Sequence, residues 1–513
     1  MAILKNSGMG LLSQLIKIFF TFVTRYFFVK YIGVETLGIN STFSSVLGTL
    51  ALADLGFQTA VAFRLYQPLN ENNEAKVNDI LNVFRVVYTA VGTFFLVATF
   101  LLLPFLRFIL SDITINFNIY LYFILQSVAS ASSYFIAYKR VLLYANQKDY
   151  VAKIIDLLVL SALNVIQCIC LMTFKNYYIY LILKILESII SNLIVNGYCH
   201  KAYPYLKKNS VDWKTFKEII SDVKNVFAGK MAAYIYNSTD NIIVSAFVST
   251  IAVGRLVNYT TISTGLKTLC SSVMTPMAPF IGNAIAKDIN VSKRKIFNVY
   301  QYVTFVLAIL IVVPVYIMLE DFVRWWVGDG MIMSHDLLIL LMIDLYINII
   351  HGNTCDFINA AGLFKKEKYI NIIGALANII VSLLLVKPFG IVGVLIGTCF
   401  SQMIFWTGRS WIVFFYCLKA SVKEYIIYWC KNILYIFVVV VSANMFDFIY
   451  KTVKMKVIYI NSIISFLISG IFIEALLFTM LIAIFYYTEE EKTLLRIGAD
   501  FWRNKSQNKS QHD

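Results

Sequence analysis

Several charged residues of this chain sit inside long apolar runs, where ionised groups are rare. The deepest are Lys17, Arg25, Asp54, Lys230, Asp240, Arg255 and Lys267. A charge at the centre of a membrane helix costs about 2.5–3.5 kcal/mol on insertion scales, so each needs a partner, a water-filled space or a ligand. Lys17 lies roughly 13 Å into its run at about 1.5 Å per residue, near mid-bilayer. Lys230 and Arg255 are within snorkelling reach of an interface, whereas Lys17 and Lys267 are not. Lysine and arginine bind phosphate and pyrophosphate oxygens through charge-assisted hydrogen bonds. The five cations therefore read as the lining of a cavity for an anionic substrate. Asp54 and Asp240 can hold cations apart or accept a coupling ion, a proton or sodium. Lys17 and Arg25 differ by about 80° around their helix, and Arg255 and Lys267 by about 120°, so they form no single stripe.

Other chemistry has little foothold. There is no GxGxxG, P-loop, HExxH or GxSxG motif. The four histidines, 200, 335, 351 and 512, are scattered, and the eight cysteines form no CxxC pair. No catalytic residue, metal or cofactor is expected. Lys184 and Glu187, three apart, read as a pair on a helix surface. Asp156, Asp344, His351, Asp356, Arg409 and Glu474 also lie in or near apolar runs, where packing pairs explain most of them. Asp344 and His351, seven apart on one face, could relay a proton. Trp325, Trp326, Trp406, Trp411, Tyr177 and Tyr178 read as an interfacial aromatic belt.

The elements that carry these residues follow from composition. Of 513 residues, 59% are apolar and only 14% charged, and mean hydropathy is +0.73. A soluble globule cannot hide that much apolar surface. This excludes a cytosolic enzyme, a secreted disulfide scaffold and a disordered chain. About fourteen membrane spans are expected, near 8–32, 36–64, 80–105, 117–144, 150–174, 177–199, 223–247, 252–283, 296–318, 333–361, 368–386, 390–417, 426–446 and 457–487. The first reads as an uncleaved span rather than a signal peptide. Lys and Arg crowd alternate loops, which predicts a multi-pass membrane protein with both termini cytoplasmic. Lys451, Lys454 and Lys456 break this pattern in the last outer loop. The net charge of +15 follows from the same loop bias, and no nucleic-acid partner is expected.

An internal repeat appears at an offset near 216. Leu37-Gly38-Ile39-Asn40 corresponds to Val253-Gly254-Arg255-Leu256-Val257-Asn258, and the segment 145–151 to the segment 361–370. Six spans separate the copies, so the repeats are parallel. The expected all-α architecture is two six-helix bundles, 1–199 and 223–418, facing a central cavity. A basic cytoplasmic linker, 200–222, joins them and can hold a short amphipathic helix. Two appended helices occupy 419–487, and a charged cytoplasmic tail occupies 488–513.

The chain resembles the polysaccharide transporter family of oligosaccharide flippases, O-antigen and capsule types, in the multidrug, oligosaccharidyl-lipid and polysaccharide exporter superfamily (a MATE-like fold). The residues that carry the resemblance are Arg25-Tyr26-Phe27, Gly33 through Asn40, Leu55 through Ala60, Leu65-Tyr66-Gln67-Pro68-Leu69, Ala145-Asn146-Gln147-Lys148, Ser238 through Ile243, and Gly282 through Ala286. Arg255 departs from the pattern, standing where relatives usually carry an apolar or aromatic residue. Asn146 stands where Asp is common. The resemblance implies a cavity that opens alternately to each side of the membrane. It also implies a polyprenyl-pyrophosphate-linked oligosaccharide as substrate, with polysaccharide polymerase and assembly proteins as partners. The rival readings are a multidrug-type, cation-coupled exporter of small molecules on the same fold, which a cationic cavity disfavours, and a membrane polymerase or ligase, for which the outer loops are too short. A structural partner of a synthase complex is a further rival.

Overall fold

The computed structural model describes residues 2–51, 57–110, 113, 118–209, 212–274, 281–282, 290–457 and 463–485. Side chains at 2–8, 11, 59, 221–237, 290–292, 453–457 and 463–467 are outside that description. The described residues form helices and short connections, with no strand among them. The chain is a multi-pass membrane protein. Eleven of its described helices are long and apolar enough to cross a bilayer. The three expected spans not among these eleven are the second, seventh and eighth. Described helices lie in all three stretches; the two in the second, of 17 and 14 residues, are too short to cross a bilayer singly. In the expected span 36–64, one described helix ends at Leu50 and another begins at Phe57, and positions 52–56 lie outside the described residues.

The chain forms two compact units, residues 1–258 with 378–394, and residues 259–377 with 395–513. The first unit contains α1 (Ala2–Tyr31), α2 (Val34–Leu50), α3 (Phe57–Asn70), α4 (Glu74–Leu102), α5 (Leu106–Ile109), α6 (Ile119–Ile136), α7 (Arg140–Ala145), α8 (Asp149–Phe174), α9 (Tyr177–Ala202) and α10 (Trp213–Phe247). It also holds the start of α11 (Thr250–Met274). Helix α1 packs along α8, α6 lies between α4 and α9, and α10 lies along α2 and α3. The expected amphipathic helix in the linker is the first part of α10. Asp212 caps it, accepting from the backbone N–H groups of Lys214 and Thr215. Those bonds, led by the Thr215 hydroxyl, hold the exposed Asp212 carboxyl below the usual carboxylate range.

The second unit is arranged around α12 (Asn290–Val327). It packs against α13 (His335–Ile350), α17 (Val422–Val457) and α18 (Ile463–Phe485). Helix α14 (Gly352–Ala361), the first part of α15 (Phe364–Phe389) and α16 (Ile391–Ile412) from residue 395 onward complete the set. Fully buried Phe297, Phe305, Val313 and Val323 give α12 its core face. Phe305 stacks on Tyr435 with ring centroids 3.9 Å apart. Outward-facing Phe63, Phe108, Leu384 and Phe448 are largely exposed, as lipid contact requires. The aromatic-belt reading needs correction. Trp326, Trp406 and Tyr177 are buried, and the Trp406 indole donates to Tyr428 Oη at 2.8 Å. Trp325 and Trp411 are exposed.

Two glycines set the closest helix approach. A Cβ on Gly38 would lie 1.9 Å from the Thr250 carbonyl oxygen, and one on Gly254 would lie 2.1 Å from the Val34 carbonyl oxygen. Adding 216 to residues 34 and 38 gives 250 and 254, so the two contacts exchange under the repeat. The motif that revealed the repeat thus packs against its own copy in α2 and the start of α11, as a local pseudo-two-fold contact. Only glycine allows such backbone approach. Gly38→Ala is expected to destabilise the protein by about 1–3 kcal/mol, read as a lower Tm of the purified protein in detergent. An unchanged Tm would show that the crossing is not tight.

Candidate functional site

The first unit encloses a cavity of about 560 Å³ within its membrane-spanning helices. Its wall is built from helical stripes. On α9, Lys184, Glu187, Ser188 and Ser191 recur at spacings of three and four and face the cavity. On α6, Gln126, Ser130 and Ser133 do the same. Helix α2 adds Asn40 and Ser44, α8 adds Asp156, and α1 adds Lys17. Polar hydrogen bonds hold this wall. Gln126 Nε2 donates to Ser44 Oγ at 2.7 Å and to the Asn40 carbonyl at 3.1 Å. Tyr177 donates its hydroxyl to Asn40 Oδ1 at 2.9 Å.

Arg140, the first residue of α7, is the wall's main charge. It grips Asp156 with two parallel bonds of 2.8 and 2.7 Å and donates to Asn192 Oδ1 at 2.6 Å. Ser191 donates to the same carboxylate and accepts from Arg140 at 2.9 Å. Lys184 pairs with Glu187 at 2.7 Å. Lys17, half-buried, reaches ion-pair distance of no carboxylate among the described residues. The lining therefore carries three cations against two carboxylates, and its excess positive charge centres on Lys17. Serine hydroxyls and side-chain amides surround that charge, the donors and acceptors that suit a hydroxylated, anionic ligand.

The remaining expected site residues distribute as follows. Arg25 is half-buried two turns along α1 and does not line this cavity. Lys230 lies in α10, with its side chain outside the described residues. Asp54 also lies outside the described residues. Asp240 is half-buried in α10, and Arg255 is exposed on α11. Lys267 belongs to a polar network in the second unit, paired with Asp344 at 2.6 Å. Gln402 Nε2 donates to Asp344 at 3.0 Å, which turns its Oε1 toward His351 Nε2, also at 3.0 Å. His351 Nε2 therefore carries the hydrogen, and Nδ1 faces Arg409 at 3.4 Å. Arg409 pairs with Glu367 at 2.9 Å. Asp344 and His351 are thus joined through an amide, which orients both but is a poor proton carrier. This network has two cations and two carboxylates. Among the described residues no group of metal-ligating side chains is found.

Arg140 is not among the cations that the sequence suggested for the cavity, since it follows Lys139 in a basic segment that reads as a loop. The stripes on α6 and α9 were the available signal, since serine, glutamine and charged residues recur there at helical spacing within apolar runs.

No family model matches the chain, and no curated protein matches it in sequence. Solved structures do match its fold. The lipid II flippase MurJ in an inward closed conformation superposes with a TM-score of 0.69 at 14% identity, over 94% of this chain and 99% of that one. An inward-facing multidrug resistance MATE family transporter of the MOP superfamily gives 0.60 at 13% identity, over 82% and 99%. An outward-facing member gives 0.53 at 13% identity, over 80% and 94%.

The fold is that of the MOP-superfamily transporters.

These neighbours are transporters and flippases rather than enzymes. Asp156→Asn leaves Arg140 without its carboxylate and is expected to cost about 1.5–3 kcal/mol. Replacing both partners by apolar residues, Arg140→Met with Asp156→Leu, is expected to recover part of that loss. Thermal unfolding of the two variants checks this, and equal losses in the single and the double variant would refute the pairing.

Proposed function

We propose that this protein is a flippase for a polyprenyl-pyrophosphate-linked oligosaccharide repeat unit. It moves the unit from the inner to the outer leaflet of a bacterial cytoplasmic membrane by alternating access. The product feeds capsule, exopolysaccharide or O-antigen-type polysaccharide synthesis. The observation that carries this reading is Lys17, a cation within ion-pair distance of no described carboxylate, feeling only the longer-range attraction of Asp156, in a hydroxyl-rich cavity inside membrane-spanning helices. A pyrophosphate supplies the missing negative charge, and sugar hydroxyls match the serine and amide wall. The lipid tail stays in the bilayer while the polar head crosses. The fold shared with a lipid II flippase over nearly the whole chain supports the same reading. Arg25, Lys230, Arg255 and Lys267 are the further proposed cations along the path. Asp54 and Asp240 are the proposed acidic positions, for a proton or sodium. Polymerase and assembly proteins are the proposed partners.

A multidrug-type exporter on the same fold is the alternative, since MATE transporters share the architecture. An excess of positive charge in the cavity repels organic cations and argues against that substrate class.

Depletion of the protein in its host is expected to hide the repeat unit from a glycan hydrolase added to intact cells. Lys17→Ala is expected to slow outward appearance about tenfold or more, the loss of one charged hydrogen bond. Lys17→Arg is expected to keep most of the rate. Normal outward appearance after depletion would sink the proposal.

A further inference from the structure

A second pocket lies in the first unit, apart from the cavity. It has a volume of about 200 Å³. Arg85, Lys139, Lys207, Lys208 and His200 line it, with no aspartate or glutamate among its described lining residues. In the larger cavity Arg140 and Lys184 each have a carboxylate partner. Here four cations converge without one.

Lys207 and Lys208 are exposed, but the backbone that carries them is fixed to the helix wall. Asn78, Asn82 and Arg85 recur at spacings of four and three on one face of α4. Asn78 Oδ1 accepts from the Lys207 backbone N–H at 2.9 Å. Asn82 Nδ2 donates to the Lys207 carbonyl at 2.9 Å, and Asn82 Oδ1 accepts from the Asn209 N–H at 3.3 Å. Two buried asparagines thus bind the lysine-bearing loop against the helix that carries Arg85. Lys139 is half-buried in the short turn between α6 and α7, and His200 stands in the last turn of α9. Holding like charges together in fixed positions is unfavourable unless an anion joins them.

We propose that this pocket binds the phosphate of an anionic lipid head group. A forked guanidinium with several ammonium groups suits a phosphate. The pocket sits where α4 begins, α6 ends and α9 ends, which are the ends of membrane spans, so the ligand is at head-group level. Free phosphate has the same chemistry, and the test separates the two sources. The site is independent of whatever the larger cavity transports.

The experiment uses the purified full-length protein in phosphatidylcholine nanodiscs, with and without phosphatidylglycerol. Thermal unfolding reads stabilisation, and native mass spectrometry counts retained anionic lipid. Inorganic phosphate is added to phosphatidylcholine nanodiscs as a separate arm. Phosphatidylglycerol is expected to raise Tm and to be retained by the native protein. Lys208→Gln, a change at an exposed loop residue, is expected to weaken apparent lipid affinity about fivefold. Arg85→Gln added to it is expected to remove the response. Lys217→Gln, the same charge change on exposed α10, is expected to leave the response intact. Stabilisation by phosphate but not by the lipid would overturn the lipid assignment. An equal lipid response in the native protein and the Arg85→Gln, Lys208→Gln variant would overturn the site.

Discussion

The close approach of Gly38 and Gly254 to each other's helices is the constraint on which the first unit depends. With no side chain at either position, backbone carbonyls occupy space that a Cβ would fill. Helix geometry then determines where the rest of α2 points. Asn40 is two residues from Gly38, about 200° around the helix, and Ser44 follows at about 40° from Asn40. The face opposite the glycine contact therefore carries the groups that hold Gln126 and accept from Tyr177. One helix thus joins the repeat's contact to the wall of the cavity. The correspondence of residues 34 and 38 with 250 and 254 gives a physical basis to the sequence repeat. The small residue is required twice because the same contact is made twice.

Charge is managed differently in different parts of the chain. Arg140 with Asp156, Lys184 with Glu187, Lys267 with Asp344 and Arg409 with Glu367 are paired within membrane-spanning helices. Pairing offsets the cost of removing each ion from water, and further hydrogen bonds satisfy the remaining lone pairs. The His351–Gln402–Asp344 chain shows how completely this is done in the second unit. Lys17 stands against that pattern in the larger cavity, and the basic lining of the smaller pocket stands against it at the span ends. Those departures from pairing are where the proposed ligands would supply the balancing charge.

Much of this was legible in the sequence because a bilayer imposes a simple rule. Each crossing needs a long apolar run, and eleven described helices obey it by composition alone. The stretches that do not are those of α2 with α3, α10 and α11; α2 and α3 are each shorter than a full crossing, which an apolar-run count cannot see. Lys17 was recognisable as a deep cation for the same reason that it is costly. Arg140 was not, because a residue at the start of a helix after a basic turn looks like a loop cation until its partner on α8 is placed. The pairing of Lys267 was not legible because Asp344, its partner, is 77 positions away in sequence. Trp406 looked interfacial because composition does not reveal that Tyr428 meets its indole.

The account rests on one claim, that the cavity carries a lipid-linked pyrophosphate glycan across the bilayer. The most direct measurement reconstitutes the purified protein into liposomes that contain a polyprenyl-pyrophosphate-linked oligosaccharide with a fluorescent sugar, and follows the leaflet it occupies with a membrane-impermeant quencher. The account predicts protein-dependent exchange between leaflets that Lys17→Ala slows. Exchange no faster than in protein-free liposomes, with export of an organic cation by the same preparation, would contradict it.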